Sequence, residues 1–335
     1  MKNIVCDRKR PTQIESVVED GNFRYELDFS WAKWPDDMKG IHTVNGCFDE
    51  NGNLYVATED KNHPVVIFKE NGEYIRSIGA GLFQKAHSIF LTPQITILVA
   101  DTSKDYHVIR EIDMEGNLVR DFGTLGHPGD SGYDINYLEV LQRENRVPED
   151  PEWNKRAEAN ARLDSVKKMG TPFCRPCNMV MDAEGKYYAA DGYGNDAVHR
   201  FGTDGMHELS WGGPGREPGK FRLVHDVRID KLERIWVSDR ENSRVQIFTK
   251  DGDLIAVISG NLMRIGAVWL DDEYAFIGEL DGGITILNMD LEVIAQLGCK
   301  GSVIHAHGIT EDCNGNLFVF TNKKNDNSIL RMVRK

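Results

Sequence analysis

An internal repeat constrains the fold of this chain more than any other feature. Three clear copies begin at Phe48, Met181 and Ile229, and each contains short apolar runs that alternate with polar residues between turns rich in Asp, Asn and Gly. Short alternating runs between closely spaced turns indicate antiparallel β-strands. The repeat therefore predicts an all-β protein in which each copy forms one small sheet.

The first turn of each copy gives a register in which six copies can be aligned. The equivalent turn positions are Asp49, Thr92, Asp182, Asp230, Leu270 and Asp312. Nine residues after the turn, every copy has a polar residue, namely Thr58, Asp101, Asp191, Asp239, Glu279 and Thr321. Five residues before the turn lie Val44, His87, Cys177, His225, Ile265 and His307. A polar residue at one fixed offset in all copies supports this alignment.

The spacing of the copies predicts a six-bladed β-propeller. The positions before the turn are 43, 90, 48, 40 and 42 residues apart, and four-stranded propeller blades repeat about every 40 to 50 residues. The gap of 90 residues holds an insertion between blades 2 and 3, over residues 125–171, which is rich in helix formers and is broken at Pro148 and Pro151. We expect two helices there, either as a lid over the ring or as a surface excursion.

The sixth copy ends after about three strands, so one strand of the last blade is missing. The segment from Phe23 to Trp31 alternates apolar and polar residues and is expected to supply that strand. Closure of this kind joins the first and last blades and leaves no unpaired edge. We therefore treat residues 1–335 as one propeller domain.

Histidine occupies the position before the turn in alternate copies, at His87, His225 and His307. In a ring of blades these side chains converge on the axis about 120° apart, which predicts three ligands for one metal ion. Neutral imidazole suits Zn²⁺, and three protein ligands leave a fourth place open, as in catalytic sites. Fe²⁺ and Mn²⁺ are alternatives, since ligand type discriminates poorly among these ions. Without a metal, the same residues would line the channel as compact polar groups.

His305 lies two residues before His307 and faces the same way by strand alternation. It is therefore either a supporting group for the last histidine or a residue of the channel rim.

Composition and charge argue against several classes of function. The net charge of −13, from 40 basic and 53 acidic residues, opposes nucleic acid or an anionic membrane surface as a partner. The N-terminal segment MKNIVCDRKRPTQ lacks the apolar core of a secretory signal, and no apolar run approaches the length of a membrane span. The six cysteines fit reduced thiols. We expect a cytoplasmic protein that acts on a small molecule, while its oligomeric state stays open.

Four segments of the chain resemble a known family. They are NHPVVIFKENGEYIRSIGAGLFQKAH, FCRPCNMVMDAEGKYYAADGYGNDAVHRF, GKFRLVHDVRIDKLERIWVSDRENSRVQIF and AHGITEDCNGNLFVF. Together they resemble the peptidyl-α-hydroxyglycine α-amidating lyases and their bacterial relatives, six-bladed propellers of NHL-type repeats. The motifs SDRENSRVQIF and ADGYGN are the most specific, and the resemblance runs from about Phe23 to the end of the chain, without the insertion.

The resemblance implies a catalytic Zn²⁺ held by three histidines, which match His87, His225 and His307. It also implies a catalytic tyrosine in ADGYGN, here Tyr193, and an arginine in DREN, here Arg240. The implied reaction cleaves a C–N bond at a carbon that bears a hydroxyl, in an N-substituted α-hydroxyglycine or a ureidoglycolate-like substrate. The products are an amide and glyoxylate or a related aldehyde. Tyr193 would exchange a proton, and Arg240 would balance negative charge.

The chain departs from the family pattern in blade 1. The family usually has a second active-site arginine there, whereas this chain has Glu59 at the position that matches Arg240, with Lys61 nearby. A glutamate would repel a substrate carboxylate, and Lys61 is a point charge rather than a planar fork. Glu59 and Lys61 are therefore candidate substrate contacts, and the family's usual substrate is in question.

Cys177, at the blade 3 position equivalent to the histidines, is a third candidate for contact with the substrate. The resemblance also leaves a structural Ca²⁺ open, because the acidic residue that some members have after the last histidine is Gly308 here. Asp226, which follows His225, either orients a ligand or belongs to the surface turn.

Two other classes of function stay open. A lactonase-like hydrolase also uses a propeller with a central metal, usually Ca²⁺ held by carboxylates and Asn, and the three imidazoles disfavour it. A non-catalytic NHL-type interaction module is the other possibility, since many propellers bind partners through the rim.

Overall fold

The structure, a computed structural model, describes residues 1–7, 16–146, 154–321 and 328–335. Within these ranges the strands form six sheets, and the innermost strands of neighbouring sheets contact one another in a closed ring. The predicted six-bladed β-propeller is therefore confirmed. Pro148 and Pro151, the predicted break in the insertion, lie outside the described residues.

Three strands precede the first blade, and blades 1 to 3 follow with four strands each. The strands before the blades are β1 (Lys2–Cys6), β2 (Val17–Asp20) and β3 (Phe23–Asp28), followed by a 3₁₀ turn at Asp36–Met38. Blade 1 contains β4 (Thr43–Phe48), β5 (Leu54–Thr58), β6 (Val65–Phe68) and β7 (Tyr74–Ile78). Blade 2 contains β8 (Ala86–Leu91), β9 (Ile97–Asp101), β10 (Val108–Ile112) and β11 (Leu118–Gly123). Blade 3 contains β12 (Asn178–Met181), β13 (Tyr187–Asp191), β14 (Ala197–Phe201) and β15 (His207–Gly212).

Blades 4 to 6 complete the ring. Blade 4 contains β16 (Val224–Ile229), β17 (Ile235–Asp239), β18 (Arg244–Phe248) and β19 (Leu254–Gly260), with a 3₁₀ turn at Arg240–Asn242. Blade 5 contains β20 (Ile265–Leu270), β21 (Tyr274–Glu279), β22 (Ile284–Asn288) and β23 (Val293–Leu297). Blade 6 contains β24 (Gly308–Glu311), β25 (Leu317–Phe320) and β26 (Ile329–Arg334).

The ring closes through the N-terminal segment, as predicted. Strand β3 pairs antiparallel with β26, with Tyr25 opposite Arg334, and β2 adds a further strand outside it. Strand β1 was not predicted: it pairs in parallel with β19 at the outer edge of blade 4. Its side chains alternate, so that Ile4 and Cys6 are buried and Val5 is 63% exposed. The N-terminal segment therefore joins blade 4 to blade 6.

The first turn of most blades is stabilised by an aspartate side chain. One carboxylate oxygen accepts hydrogen bonds from the backbone N–H groups two and four residues later, which is the geometry of an Asx turn. This pattern is found at Asp49, Asp182, Asp230 and Asp312. The aspartates that recur in the sequence thus fix the hairpin between the two innermost strands.

The predicted register of blade 5 is wrong by one residue. Asp271, not Leu270, accepts the backbone bonds there, and its turn is one residue shorter than in the other blades. In blade 2, His87 follows Ala86, which pairs with Asp101. In blade 5, Ile265 pairs with Glu279 in the same way, so the residue equivalent to His87 is Gly266 and not Ile265.

The recurrent acidic position at the end of the second strand anchors the entry to the innermost strand. We call the position of His87 in blade 2, and its equivalent in every other blade, the axial position. In four blades the carboxylate accepts a hydrogen bond from the backbone N–H three residues before the axial position. The pairs are Asp101 with Gln84, Asp191 with Cys174, Asp239 with Arg222, and Glu279 with Met263. These bonds set the position of the chain where it reaches the channel rim.

The insertion contains the two helices that the sequence predicts, α1 (Tyr137–Arg143) and α2 (Asn154–Ser165), between β11 and β12. The C-terminal end of α2 is docked on blade 4: Leu163 packs with Phe221 and Leu223, and Asp164 lies 2.5 Å from Arg222. In the described part of the chain, no helix is long and apolar enough to cross a membrane.

Candidate metal centre and catalytic residues

Three histidines meet at the axis of the propeller. His87 in β8, His225 in β16 and His307 just before β24 come from alternate blades and are 3%, 3% and 4% exposed. Their ring centroids are 4.6 to 4.9 Å apart, and one ligand nitrogen from each lies within 4.8 Å of the others. The structure therefore brings the three predicted ligands together in a group that could hold one metal ion.

The hydrogen bonds of the three rings determine which nitrogen is available to a ligand. Nδ1 of each histidine bonds to the backbone carbonyl of the equivalent residue in the next blade. The pairs are His87 with Cys177 (3.0 Å), His307 with Val44 (2.9 Å), and His225 with Gly266. Because a carbonyl can only accept, each Nδ1 carries the proton and each Nε2 keeps its lone pair. Imidazoles oriented in this way by backbone acceptors fit the requirements of a metal site.

Burial keeps the three histidines uncharged. It lowers the pKa of His87 and His225 well below the ordinary value, and it lowers the pKa of His307 to about 4. The rings are therefore neutral at pH 7. Neutral imidazole is the form that binds a metal ion, so no proton has to be displaced from these residues before binding.

Tyr193 and Arg240 lie against the histidine group. The hydroxyl oxygen Oη of Tyr193, in the loop after β13, is 3.1 Å from Nε2 of His87 and 3.3 Å from Nε2 of His225. Nη1 of Arg240, at the start of the 3₁₀ turn after β17, donates to the same Oη at 3.1 Å. Burial raises the pKa of Tyr193, and the positive charge of Arg240 opposes that rise. The two residues named by the resemblance are thus in direct contact with each other, and Tyr193 also contacts two of the histidines.

Glu241 holds the guanidinium of Arg240. Its Oε1 accepts from Nε of Arg240 at 2.9 Å and lies 2.8 Å from Nη2 of Arg264 in the next blade. Burial alone would raise the pKa of Glu241, but the charges and hydrogen bonds of Arg240 and Arg264 together outweigh burial and lower it, so this carboxylate is ionised at neutral pH. Arg240 is thereby fixed with one edge toward Glu241 and Nη1 toward Tyr193.

A cavity of about 400 Å³ lies beside Tyr193 and Arg240. Helix α2 contributes part of its wall, including Arg162 and Leu163, and Arg175 and Arg264 contribute another part. Helix α2 therefore borders the space next to the candidate catalytic residues.

The two candidate residues of blade 1 have different surroundings. Glu59 forms an ion pair with Lys85 at 3.1 Å and lies 3.4 Å from Nδ1 of His42. Its charge also acts on His307, where it raises the pKa against the larger effect of burial. Lys61 is exposed in the turn after β5 and does not border the 400 Å³ cavity. The lysine near the histidines is thus Lys85, which sequence reasoning missed although it precedes His87 by two residues.

Cys177 lies on the channel side of the histidines. It is fully buried, burial raises the pKa of its thiol to about 12, and it borders a small cavity of about 10 Å³ with the histidines. The structure does not bring it to the larger cavity beside Tyr193. Asp226, in the same small cavity, accepts hydrogen bonds from Asn178 and from backbone N–H groups and lies 3.4 Å from Nε of Arg228. These contacts account for its burial without a cation.

The sequence of the chain is similar to NHL-repeat proteins and to proteins named as α-amidating enzymes. Residues 221–248 match the NHL repeat family. Human NHL repeat-containing protein 3 is 26% identical over 235 residues, which are 68% of this chain and 57% of that protein. Rat peptidylglycine alpha-amidating monooxygenase is 24% identical over 254 residues, 72% of this chain and 21% of that protein. A Caenorhabditis elegans protein named probable peptidyl-alpha-hydroxyglycine alpha-amidating lyase is 31% identical over 80 residues, 23% of each chain.

The chain is a six-bladed propeller with one matched NHL repeat, and its sequence is similar to proteins named as α-amidating enzymes. This propeller spans little more than half the length of human NHL repeat-containing protein 3, and smaller shares of the other two relatives.

Solved structures share the fold of this propeller at low sequence identity. A streptogramin B lyase has a TM-score of 0.60 with 11% identity, over 93% of this chain and 98% of that one. A gluconolactonase from Xanthomonas campestris has a TM-score of 0.61 with 11% identity, over 97% of each chain. Since lyases and lactonases both use this fold, the reaction has to be argued from the residues at the axis.

Proposed function

We propose that this protein is a zinc-dependent lyase that cleaves the C–N bond of an N-substituted α-hydroxyglycine or a ureidoglycolate-like molecule. The products are an amide, or a related nitrogen compound, and glyoxylate. A single observation carries the proposal: the hydroxyl of Tyr193 lies against two of three inward-facing histidine nitrogens and also receives a hydrogen bond from Arg240. A side chain that can exchange a proton is thus next to both a metal-binding group and a fixed positive charge.

The ligand set favours zinc. His87, His225 and His307 would hold the ion through Nε2, because their Nδ1 atoms are bonded to backbone carbonyls. Three neutral histidines with a remaining open position are typical of catalytic zinc sites. When bound, the metal would supply Lewis acidity, which lowers the pKa of a hydroxyl group in contact with it.

The reaction requires one proton to move from oxygen to nitrogen. The substrate hydroxyl loses its proton, the C–N bond breaks, and a C=O bond forms to give the aldehyde of glyoxylate. The leaving nitrogen takes up a proton and becomes the amide. Atoms and charge balance without an oxidant or a water molecule.

In this proposal Tyr193 exchanges the proton, and Arg240 stabilises negative charge. The Tyr193 hydroxyl accepts a hydrogen bond from Arg240 and lies beside the Nε2 atoms that would hold the ion, so once those nitrogens are occupied its proton is available for exchange with the substrate. The Arg240 guanidinium, fixed by Glu241, is preorganised to face an oxygen that gains negative charge.

The test is an assay for glyoxylate with purified protein. N-benzoyl-α-hydroxyglycine and ureidoglycolate are supplied to the zinc-loaded protein, to the chelated protein, and to the chelated protein after zinc is restored. We expect glyoxylate with an equal amount of benzamide from the first substrate, or glyoxylate with urea from the second, with loss on chelation and recovery with zinc. A protein that retains its metal but never releases glyoxylate from either substrate contradicts the proposed reaction.

A further inference from the structure

The residues two positions before the axial register form a basic layer at the channel rim. With the corrected register of blade 5, this layer consists of His42, Lys85, Arg175, Leu223, Arg264 and His305. All six lie one to three residues before the innermost strand of their blade, so they lie at the same end of the ring. Five of the six are basic or can become so, in a chain whose net charge is −13.

Two glutamates compensate most of this charge. Glu59 lies within 3.1 Å of Lys85 and 3.4 Å of His42. Glu241 lies 2.8 Å from Arg264 and 2.9 Å from Arg240. On helix α2, Arg162 has Glu158 as its partner.

Arg175 is the exception in this layer. Its Nε donates to the carbonyl oxygen of Thr102 at 2.9 Å, and its Nη1 donates to the hydroxyl of Tyr133 at 2.6 Å. Both acceptors are neutral, and among the residues that the structure describes no carboxylate forms an ion pair with Arg175. Two of the five N–H groups of a guanidinium are committed in this way, which leaves three for another acceptor.

The position of Arg175 is fixed beside the candidate catalytic tyrosine. The Asp191 carboxylate accepts from the backbone N–H of the preceding residue, Cys174, and Arg175 itself has a φ of 62°, which a non-glycine residue rarely adopts. Its guanidinium carbon lies 5.4 Å from the ring centroid of Tyr193, and that of Arg240 lies 5.3 Å from the same centroid. Arg175 and Arg240 both border the cavity of about 400 Å³.

We infer that Arg175 binds the carboxylate of the substrate and takes the place of the arginine that blade 1 lacks at Glu59. The inference rests on the proposed function and names the part of the substrate that this residue holds. A guanidinium without an ionic partner, beside a cavity, can bind a carboxylate through two parallel hydrogen bonds. With the carboxylate on Arg175 from blade 3, Glu59 stays paired with Lys85, so the charge reversal in blade 1 does not oppose binding.

The experiment compares a carboxylate with its uncharged amide. N-benzoylglycine lacks the reactive hydroxyl and is not turned over, and N-benzoylglycinamide differs from it only in the missing charge. Their binding to the zinc-loaded protein is measured by calorimetry for the wild type, Arg175→Gln, Arg175→Lys, and Arg24→Gln as a control on the exposed outer face of blade 6.

We expect the wild type and Arg24→Gln to bind the carboxylate about 30- to 100-fold more tightly than the amide. Arg175→Gln should lose almost all of this preference. Arg175→Lys should keep about a tenth of it, because lysine offers a charge without the two parallel N–H donors of a guanidinium. The inference is overturned if the wild type shows no preference, or if either Arg175 variant keeps the full preference. Arg175→Lys decides the question if Arg175→Gln does not fold.

Binding and turnover separate the two proposals. A protein that binds the carboxylate through Arg175 but releases no glyoxylate supports this inference and contradicts the proposed reaction. A protein that releases glyoxylate with the same KM in the wild type and in Arg175→Lys supports the reaction and overturns the inference.

Discussion

The hydroxyl oxygen of Tyr193 lies 3.1 Å from Nε2 of His87, so a side chain from blade 3 contacts the lone pair of a histidine from blade 2. Nε2 is the nitrogen that the backbone leaves available, because Nδ1 is bonded to the carbonyl of Cys177. Any molecule bound at the histidine group therefore has the tyrosine hydroxyl as a neighbour.

Replacement of Tyr193 by Phe is expected to lower turnover about 10²- to 10⁴-fold, the usual contribution of a positioned acid or base. The metal content should stay that of the wild type, because Phe keeps the ring and none of the three histidines is changed. Glyoxylate release and zinc content are measured on the same sample. Full turnover in Tyr193→Phe would remove this residue from the mechanism.

The N-terminal strand β1 offers a matched pair of substitutions. Ile4 is buried against Ile258 and Leu262, whereas the adjacent Val5 is 63% exposed. Ile4→Asp should lower the free energy of unfolding by about 2 to 4 kcal/mol, because it buries an unpaired carboxylate. Val5→Asp should change it by less than about 0.5 kcal/mol. Urea unfolding of the two variants measures the difference, and equal effects would show that β1 does not pack on blade 4.

Glu311 is expected to make stability depend on pH. Burial, assisted by the nearby charge of Asp271, raises the pKa of Glu311 from 4.5 to about 7. A carboxyl group with a raised pKa in the folded state binds its proton more tightly there than in the unfolded state. Folding is therefore favoured below about pH 4.5, and this contribution is lost as the pH rises from 4.5 to about 7.

Glu311→Gln should remove this pH dependence and keep an acceptor for Nε1 of Trp269, which lies 3.3 Å from the carboxylate. Relative to the wild type, the variant should gain on the order of 1 kcal/mol between pH 5 and pH 8, less than the full shift gives, because solvent screens a half-buried charge. Urea midpoints at the two pH values provide the measurement. If the urea midpoints of the wild type and the variant changed by the same amount between these pH values, Glu311 would not be the source of the pH dependence.

The fold and the central histidines were predictable because the turns are encoded locally. Aspartates such as Asp49 and Asp230 fix the first turn through their own side chains, so their spacing reports the blades directly. Once the register was known, the histidines fell on alternate blades without further assumption. The predicted alignment of blade 5 is wrong because its turn is one residue shorter, so the fixed offset from Glu279 falls on Leu270 instead of Asp271, which accepts the backbone bonds.

The charged residues around the site were harder to predict, since their partners are distant in sequence. Glu59 is neutralised by Lys85 from blade 2, and Arg240 is held by a glutamate shared with blade 5. The signal that could have found Lys85 and Arg175 is the repeat register, since each lies two residues before the axial position of its blade, as His305 does in blade 6. The pairing of β1 depends on a parallel contact with β19, which no local pattern specifies.

Metal analysis of the purified protein shows whether the three central histidines bind zinc. The wild type, His87→Ala and His127→Ala are supplied with zinc, dialysed, and analysed by elemental mass spectrometry. His127 is an exposed residue of the insertion and serves as the matched control. We expect about one zinc per chain in the wild type and in His127→Ala, and less than about a tenth of that in His87→Ala. A wild type that retains no metal, or a His87→Ala variant that retains a full equivalent, would contradict this expectation.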